Sequence, residues 1–273
     1  MEYVNKDIRR LPMRVLLLPL LLAHSLVTVA AEIPAAIEAC MKGNLPETTS
    51  VQSIELRARD RSHYESVLQA DVYLKRIDDE NSRLMMYFRE PVDIRSARFL
   101  VVQKQPQNDM YIYMPGLFKV RRITSKKISS SIMGTDFSYE DFERLQGVLT
   151  DLSASQLPDQ VLAGRPVHVL ESHPDEQSGY ARITSYIDRE SCIAIRTDFY
   201  ENNNVLRKQM TVEPDKLKRQ DGIWYPSTLL MKDFRDKTET RLTVTGLTLG
   251  TALPDDLFDE TKLKQADIPP VSH

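Results

Sequence analysis

The residues with the most chemical content gather in one stretch, "VRRITSKKISSSIMGTDFSYEDF" (residues 120–142). Arg121, Arg122, Lys126 and Lys127, with Lys119 just upstream, place five cations within nine residues. A run of hydroxyls follows, then a Met133-Gly134-Thr135-Asp136 corner, then Glu140 and Asp141. Such a set could bind a phospholipid headgroup or an acidic partner through its guanidinium and ammonium groups. Its carboxylates could also do acid–base work. The plainer reading is a solvated strand end whose cations pair with Asp136, Glu140 and Asp141, acids at a helix start answering to the helix dipole.

Nothing elsewhere supplies a catalytic set. The sequence contains no G-x-S-x-G, no H-E-x-x-H and no Walker loop. His63 falls in a turn, and His273 is the last residue. His168 and His173 are five apart, hence on opposite faces of an extended chain, which makes a poor metal pair. The expectation is a protein that is not an enzyme, with no cofactor and no metal. The net charge of −3 becomes −5 without residues 1–31, which carry +2. A mildly acidic chain lacks the basic face that nucleic-acid backbones require.

The N-terminus reads as an export signal. Arg14 precedes an apolar run from Val15 to about Ala23, and Val29 and Ala31 stand at −3 and −1 of a cleavage before Glu32. Met13 is an alternative start. The run is shorter than the ~20 apolar residues of a membrane span. "IEAC", ending at Cys40, is too far from that run and too charged to be a lipobox. The expectation is a soluble periplasmic protein with one domain over residues 32–273. Cys40 and Cys192 are the two cysteines, and export favours a disulfide between them over two buried thiols.

"PAAIEACMKGN" predicts a short helix, with Pro34 at its start and Gly43-Asn44 past its end. Then strands dominate. Ile54, Leu56 and Ala58 alternate with charged residues, and Leu68, Ala70, Val72 and Leu74 alternate with Gln69, Asp71, Tyr73 and Lys75. Pro115-Gly116 predicts a type II turn. Ser138 and Asp141 have capping-box spacing for a second helix. About eleven antiparallel strands with two or three short helices predict a mainly β (α+β) barrel or strongly curved sheet with one dry face. Short helices cover that face incompletely, which leaves an apolar site. The Met- and aromatic-rich strands nominate Leu74, Met86, Phe88, Phe99, Val101, Met110, Ile112 and Met114 as its lining, against ordinary sheet core. Residues 266–273, "ADIPPVSH", read as a loose tail.

The segments "KVRRI", "MGTDFSYED", "SCIAIRTDFYE" and "GIWYPSTLLMKDFRDKTETRLTV" resemble the outer membrane lipoprotein-sorting protein family of the LolA/LolB-like carrier superfamily. The resemblance runs from about Ile37 to Leu263. It implies an incomplete β-barrel whose helices cover the concave side, binding acyl chains of a lipoprotein or lipid there and helping to move them toward the outer membrane. The implied partners are such acyl chains, an RND-type inner-membrane transporter, or an outer-membrane acceptor. The alternative is an accessory subunit of an RND-type lipid exporter with no cargo of its own. The resemblance marks Arg121, Arg122, Met133, Gly134, Asp136, Phe137, Tyr139 and Asp141 as the family loop. Arg121 and Arg122 are expected to anchor it through Asp136 or Asp141.

Overall fold

A computed structural model describes Met1 and residues 33–78, 81–104, 108–124, 127–146 and 154–271. The expected export signal and cleavage site, Lys126 and His273 lie outside the described residues. The unit spanning Ala31–His273 is the one considered below.

After helix α1 (Ala35–Lys42) come β1 (Thr49–Arg59), β2 (Glu65–Arg76), β3 (Ser82–Glu90), β4 (Arg98–Val102), β5 (Asp109–Met114) and β6 (Lys119–Ile123). A long crossing segment carries helix α2 (Tyr139–Leu145). Then follow β7 (Ser155–Leu162), β8 (Arg165–Ser172), β9 (Arg182–Asp188), β10 (Ala194–Glu201), β11 (Val205–Thr211), β12 (Leu217–Gln220), β13 (Ile223–Pro226), β14 (Thr228–Asp233) and β15 (Thr238–Leu249). Thirteen strands form one antiparallel sheet in the order β6-β5-β4-β3-β2-β1-β15-β14-β11-β10-β9-β8-β7, and β12-β13 is a separate hairpin. Among the described residues β6 and β7 are the edges of this sheet, which is open. Between β6 and β7, residues 127–146 pack on one face of the sheet. Phe99 and Tyr139 rings meet there at 4.8 Å. Ile132, Phe137 and Phe142 share one buried core with Ile54, Leu84 and Met231.

The mainly β, open antiparallel architecture agrees with expectation, but the strand count does not. The sequence pattern does not mark β7, because Pro158 interrupts it; β7 is an edge strand, and its register shifts between Leu157 and Gln160. An edge or a bulge is where a strand tolerates the missing N–H of proline. "IWYPSTLLMKDF" is two strands that belong to different sheets. Among the described residues there are two α-helices. The Pro115-Gly116 turn is a short 3-10 turn, and it is Phe118 that takes the left-handed conformation, at φ 51°.

Both faces of the first half of the sheet are covered, not one. Val51, Tyr73, Met85, Leu100 and Tyr113 pack on Leu253, Leu257, Phe258 and Leu263 from the C-terminal segment. Tyr73, expected on the wet face, is fully buried there, and its hydroxyl donates to the Pro269 carbonyl at 2.9 Å. Ala266 is buried, and Ile268 and Val271 pack on the same cluster, so the expected loose tail is docked through Val271. A strand shows its two faces by alternation only while one of them is wet; Tyr73 is amphipathic and gave no warning.

Candidate functional site: an apolar groove under a crossing helix

The corner of the family motif is made by backbone conformation. Met133 and Gly134 both take positive φ, 49° and 80°. A Cβ at Gly134 would meet nothing within 4 Å, so its value there is conformational freedom. The corner delivers Asp136 to β15. Its N–H donates to Thr240 Oγ1 at 2.9 Å, and its carboxylate accepts from Thr240 at 2.6 Å and from Thr238. Burial raises the Asp136 carboxyl above its ordinary range, partly offset by these two hydroxyls.

The capping box is present as the spacing required. Asp141 N–H donates to Ser138 Oγ at 3.1 Å, and Ser138 N–H donates to Asp141 Oδ2 at 2.8 Å. Asp141 also fixes α2 to the sheet. Lys208, from β11, donates to Asp141 Oδ2 at 2.9 Å and to the Asp136 carbonyl at 2.7 Å. Tyr180 donates its hydroxyl to Asp141 Oδ1 at 2.8 Å. Burial, and next the charge of Asp141, hold that hydroxyl well above the usual tyrosine range.

The expected anchors are therefore corrected. Arg122 pairs with Asp109 at the base of its own hairpin, and Arg121 is exposed. Neither reaches Asp136 or Asp141, whose cation is Lys208. β6 is an edge strand, so its basic side chains point to solvent where an unpaired backbone would invite another strand. Lys208 has no distinguishing signal in "VLRKQM": Arg207 beside it is equally buried, and the two differ in what they reach, Arg207 pairing with Asp233 and Lys208 with Asp141.

α2 carries two more buried acids. Glu140 accepts from Gly179 N–H at 3.0 Å, from Arg144 at 3.0 Å and from Ser178 Oγ. Glu143 accepts from Asn108 Nδ2 at 2.9 Å, and burial pushes its pKa up to about 7.

Beside α2 lies an apolar groove of about 350 Å³. Its floor is sheet: Leu74, Leu170, Ile187, Phe199, Met210, Leu229 and Leu242. Its walls are Met41 and Leu45 at the α1 end, Asp141, Arg144 and Leu145 of α2, and Trp224 and Tyr225 of the β12–β13 hairpin. Eight adjacent strands, from β2 to β8, contribute to it. Laid flat they would span about 34 Å, so the sheet curves around the groove. α1 is tied to this wall by the Cys40–Cys192 disulfide, with Cα atoms 5.8 Å apart.

Of the nominated lining residues, Leu74 faces the groove. Met86, Phe88, Phe99, Val101 and Met110 are buried beneath the crossing segment, with Ile112 and Met114 packed against the same cluster. Phe137, Tyr139 and Phe142 fill that half of the face. Most of the groove floor comes instead from β8, β9, β10, β11, β14 and β15, with β1 and β2 at its other end. The one available signal was the apolar side of "DFSYEDF", which had to bury itself somewhere on the sheet.

A second, polar cavity of about 620 Å³ is lined by Ser129, Gly134, Thr135, Tyr180 and Lys208 among others. It is walled by ion pairs such as Arg207 with Asp233 at 2.7 Å and Arg235 with Glu201 at 2.7 Å.

Comparison with known proteins gives the same architecture. A family model described as "-like: Uncharacterized protein" matches residues 80–265. No curated protein matches the chain. A domain from Vibrio parahaemolyticus described as an outer membrane lipoprotein-sorting protein superposes with TM-score 0.76 at 24% identity, over 84% of this chain and 97% of that one. A DUF1329 family protein from Desulfovibrio piger gives 0.75 at 20%, over 83% and 95%. A LolA superfamily protein from Nitrosomonas europaea gives 0.66 at 19%, over 84% and 98%. The chain thus belongs to the family whose model spans residues 80–265, and it has the fold of the outer membrane lipoprotein-sorting and LolA superfamily proteins.

Proposed function

We propose that this protein is a periplasmic carrier that holds the acyl chains of a lipid or lipoprotein in the groove between α1, α2 and the sheet. The observation that carries the reading is the groove itself: apolar floor, open mouth, and a volume within the ~300–1,000 Å³ of small-molecule sites. The names borne by proteins of this fold, lipoprotein-sorting and LolA superfamily, agree with it. Residues 1–31 serve as the export signal and 32–273 as the single carrier domain in this reading, with cargo passing toward the outer membrane.

The physics is burial. Each buried CH₂ contributes ~0.8 kcal/mol, so a sixteen-carbon chain gains on the order of 10 kcal/mol before ordering costs. No bond is made or broken, and release requires only that a wall of the groove move. Met41, Met210 and Met231 line it, and thioether side chains adapt to a chain of variable bend.

The test is binding of a fluorescent fatty acid, with native mass spectrometry of protein purified from a periplasm. Ser185, on β9, lines the groove and is half-buried. Ser185→Trp should fill it and weaken the probe by about tenfold or more. A probe that never partitions, together with protein free of lipid, would remove the carrier reading.

A further inference from the structure

Residues 110–135 contain no Asp or Glu, yet hold Lys119, Arg121, Arg122, Lys126 and Lys127, in a chain of net charge −3. The first half of this acid-free stretch is the β5–β6 hairpin at one edge of the open sheet. Its tip exposes apolar side chains: Leu117 is 52% and Phe118 71% exposed. Phe118 holds the left-handed conformation, unusual for a bulky aromatic. Strain of that kind points to a use for the side chain's direction. Lys264 Nζ lies over the ring, 5.7 Å from its centre, so a cation accompanies the exposed aromatic. All residues of β6 but Ile123 are exposed, Lys119 and Arg121 among them.

We propose that this hairpin docks the protein on an anionic lipid bilayer. The exposed apolar pair sits at the hairpin turn, and the exposed cations follow it directly on β6. Leu and an aromatic at the tip with cations just behind them suit an interface, where apolar side chains enter the acyl boundary and cations stay among the headgroups. Arg122 is braced by Asp109 at the hairpin base and keeps most of its side chain exposed. The inference does not depend on what fills the groove, and its readout is separate from acyl binding.

The experiment is flotation of the full protein with vesicles of phosphatidylcholine alone and of equimolar phosphatidylcholine and phosphatidylglycerol. Binding is expected on the anionic vesicles only, weakening as salt rises. Lys119→Glu and Arg121→Glu should each weaken it by about fivefold or more. Leu117→Ser with Phe118→Ser should abolish it while fatty-acid probe binding stays unchanged. Val161, 72% exposed on the opposite edge strand, supplies the control: Val161→Ser should float like the parent. Equal binding to both vesicle types, or a Leu117/Phe118 double variant that floats like the parent, would overturn the proposal. So would capture by immobilised polyglutamate without any flotation, which would mark an acidic protein surface as the partner.

Discussion

Removing the ammonium that seats α2 tests the central geometric claim. Lys208 is buried, and its Nζ reaches Asp141 Oδ2 at 2.9 Å and the Asp136 carbonyl at 2.7 Å. Lys208→Met keeps the length of the side chain and removes the charge. Asp141 then stays buried with Ser138 N–H and Tyr180 OH as donors, but with no cation. Breaking a buried pair by deleting one partner costs about 3–5 kcal/mol. Two surviving donors place this case at the lower end, about 3 kcal/mol. A urea m-value of about 3 kcal/mol per M, suited to a chain of this size, turns that into a midpoint lower by about 1 M. Adding Asp141→Asn removes the stranded charge, so the double variant should be more stable than the sum of the singles by at least about 1 kcal/mol. The same variants should loosen the groove wall and change the fluorescent fatty acid's off-rate. A Lys208→Met midpoint within about 0.2 M of the parent, or strict additivity, would refute the assignment of Lys208 as the anchor.

Other expectations rest on neighbouring features. Glu143 has a folded-state pKa raised by burial from 4.5 to about 7, so the folded state binds its proton more tightly than the unfolded one. Its contribution to stability therefore falls as pH rises from about 4.5 through 7. Glu143→Gln should leave stability little changed near pH 4 and raise it near pH 8, read as melting temperature against pH. A parallel pH profile for both proteins would contradict this. Cys40→Ser removes a link across 152 residues, worth about 4–5 kcal/mol in the loop-entropy model. Non-reducing urea melts should show that loss, and the acyl probe should bind less tightly because α1 walls the groove.

Ser138 and Asp141 declared their capping box by spacing alone, because that interaction lies within one helical turn. The α1 boundaries followed from Pro34 and Gly43 for the same reason. Tyr73 and Asp71 were assigned to the wet face by period-two alternation, and both are buried. Alternation says which residues share a face, not what later segment will cover it. Nearness in sequence points to Arg121 and Arg122 as partners of Asp136 and Asp141. Lys208, 67 residues from Asp141, is the one that arrives.

The sequence by itself settled what local chemistry dictates: strands from periodicity, helix ends from caps, a turn from Met133-Gly134, and a hairpin strand rich in cations. Only the tertiary structure decided which half of the sheet face remains open. The crossing segment could have covered either half, since both offer apolar side chains of similar size. Its seat was chosen by a buried ion pair between β11 and α2 and by Thr238 and Thr240 receiving Asp136. Those contacts join residues 67 to 104 positions apart, and no local pattern encodes them.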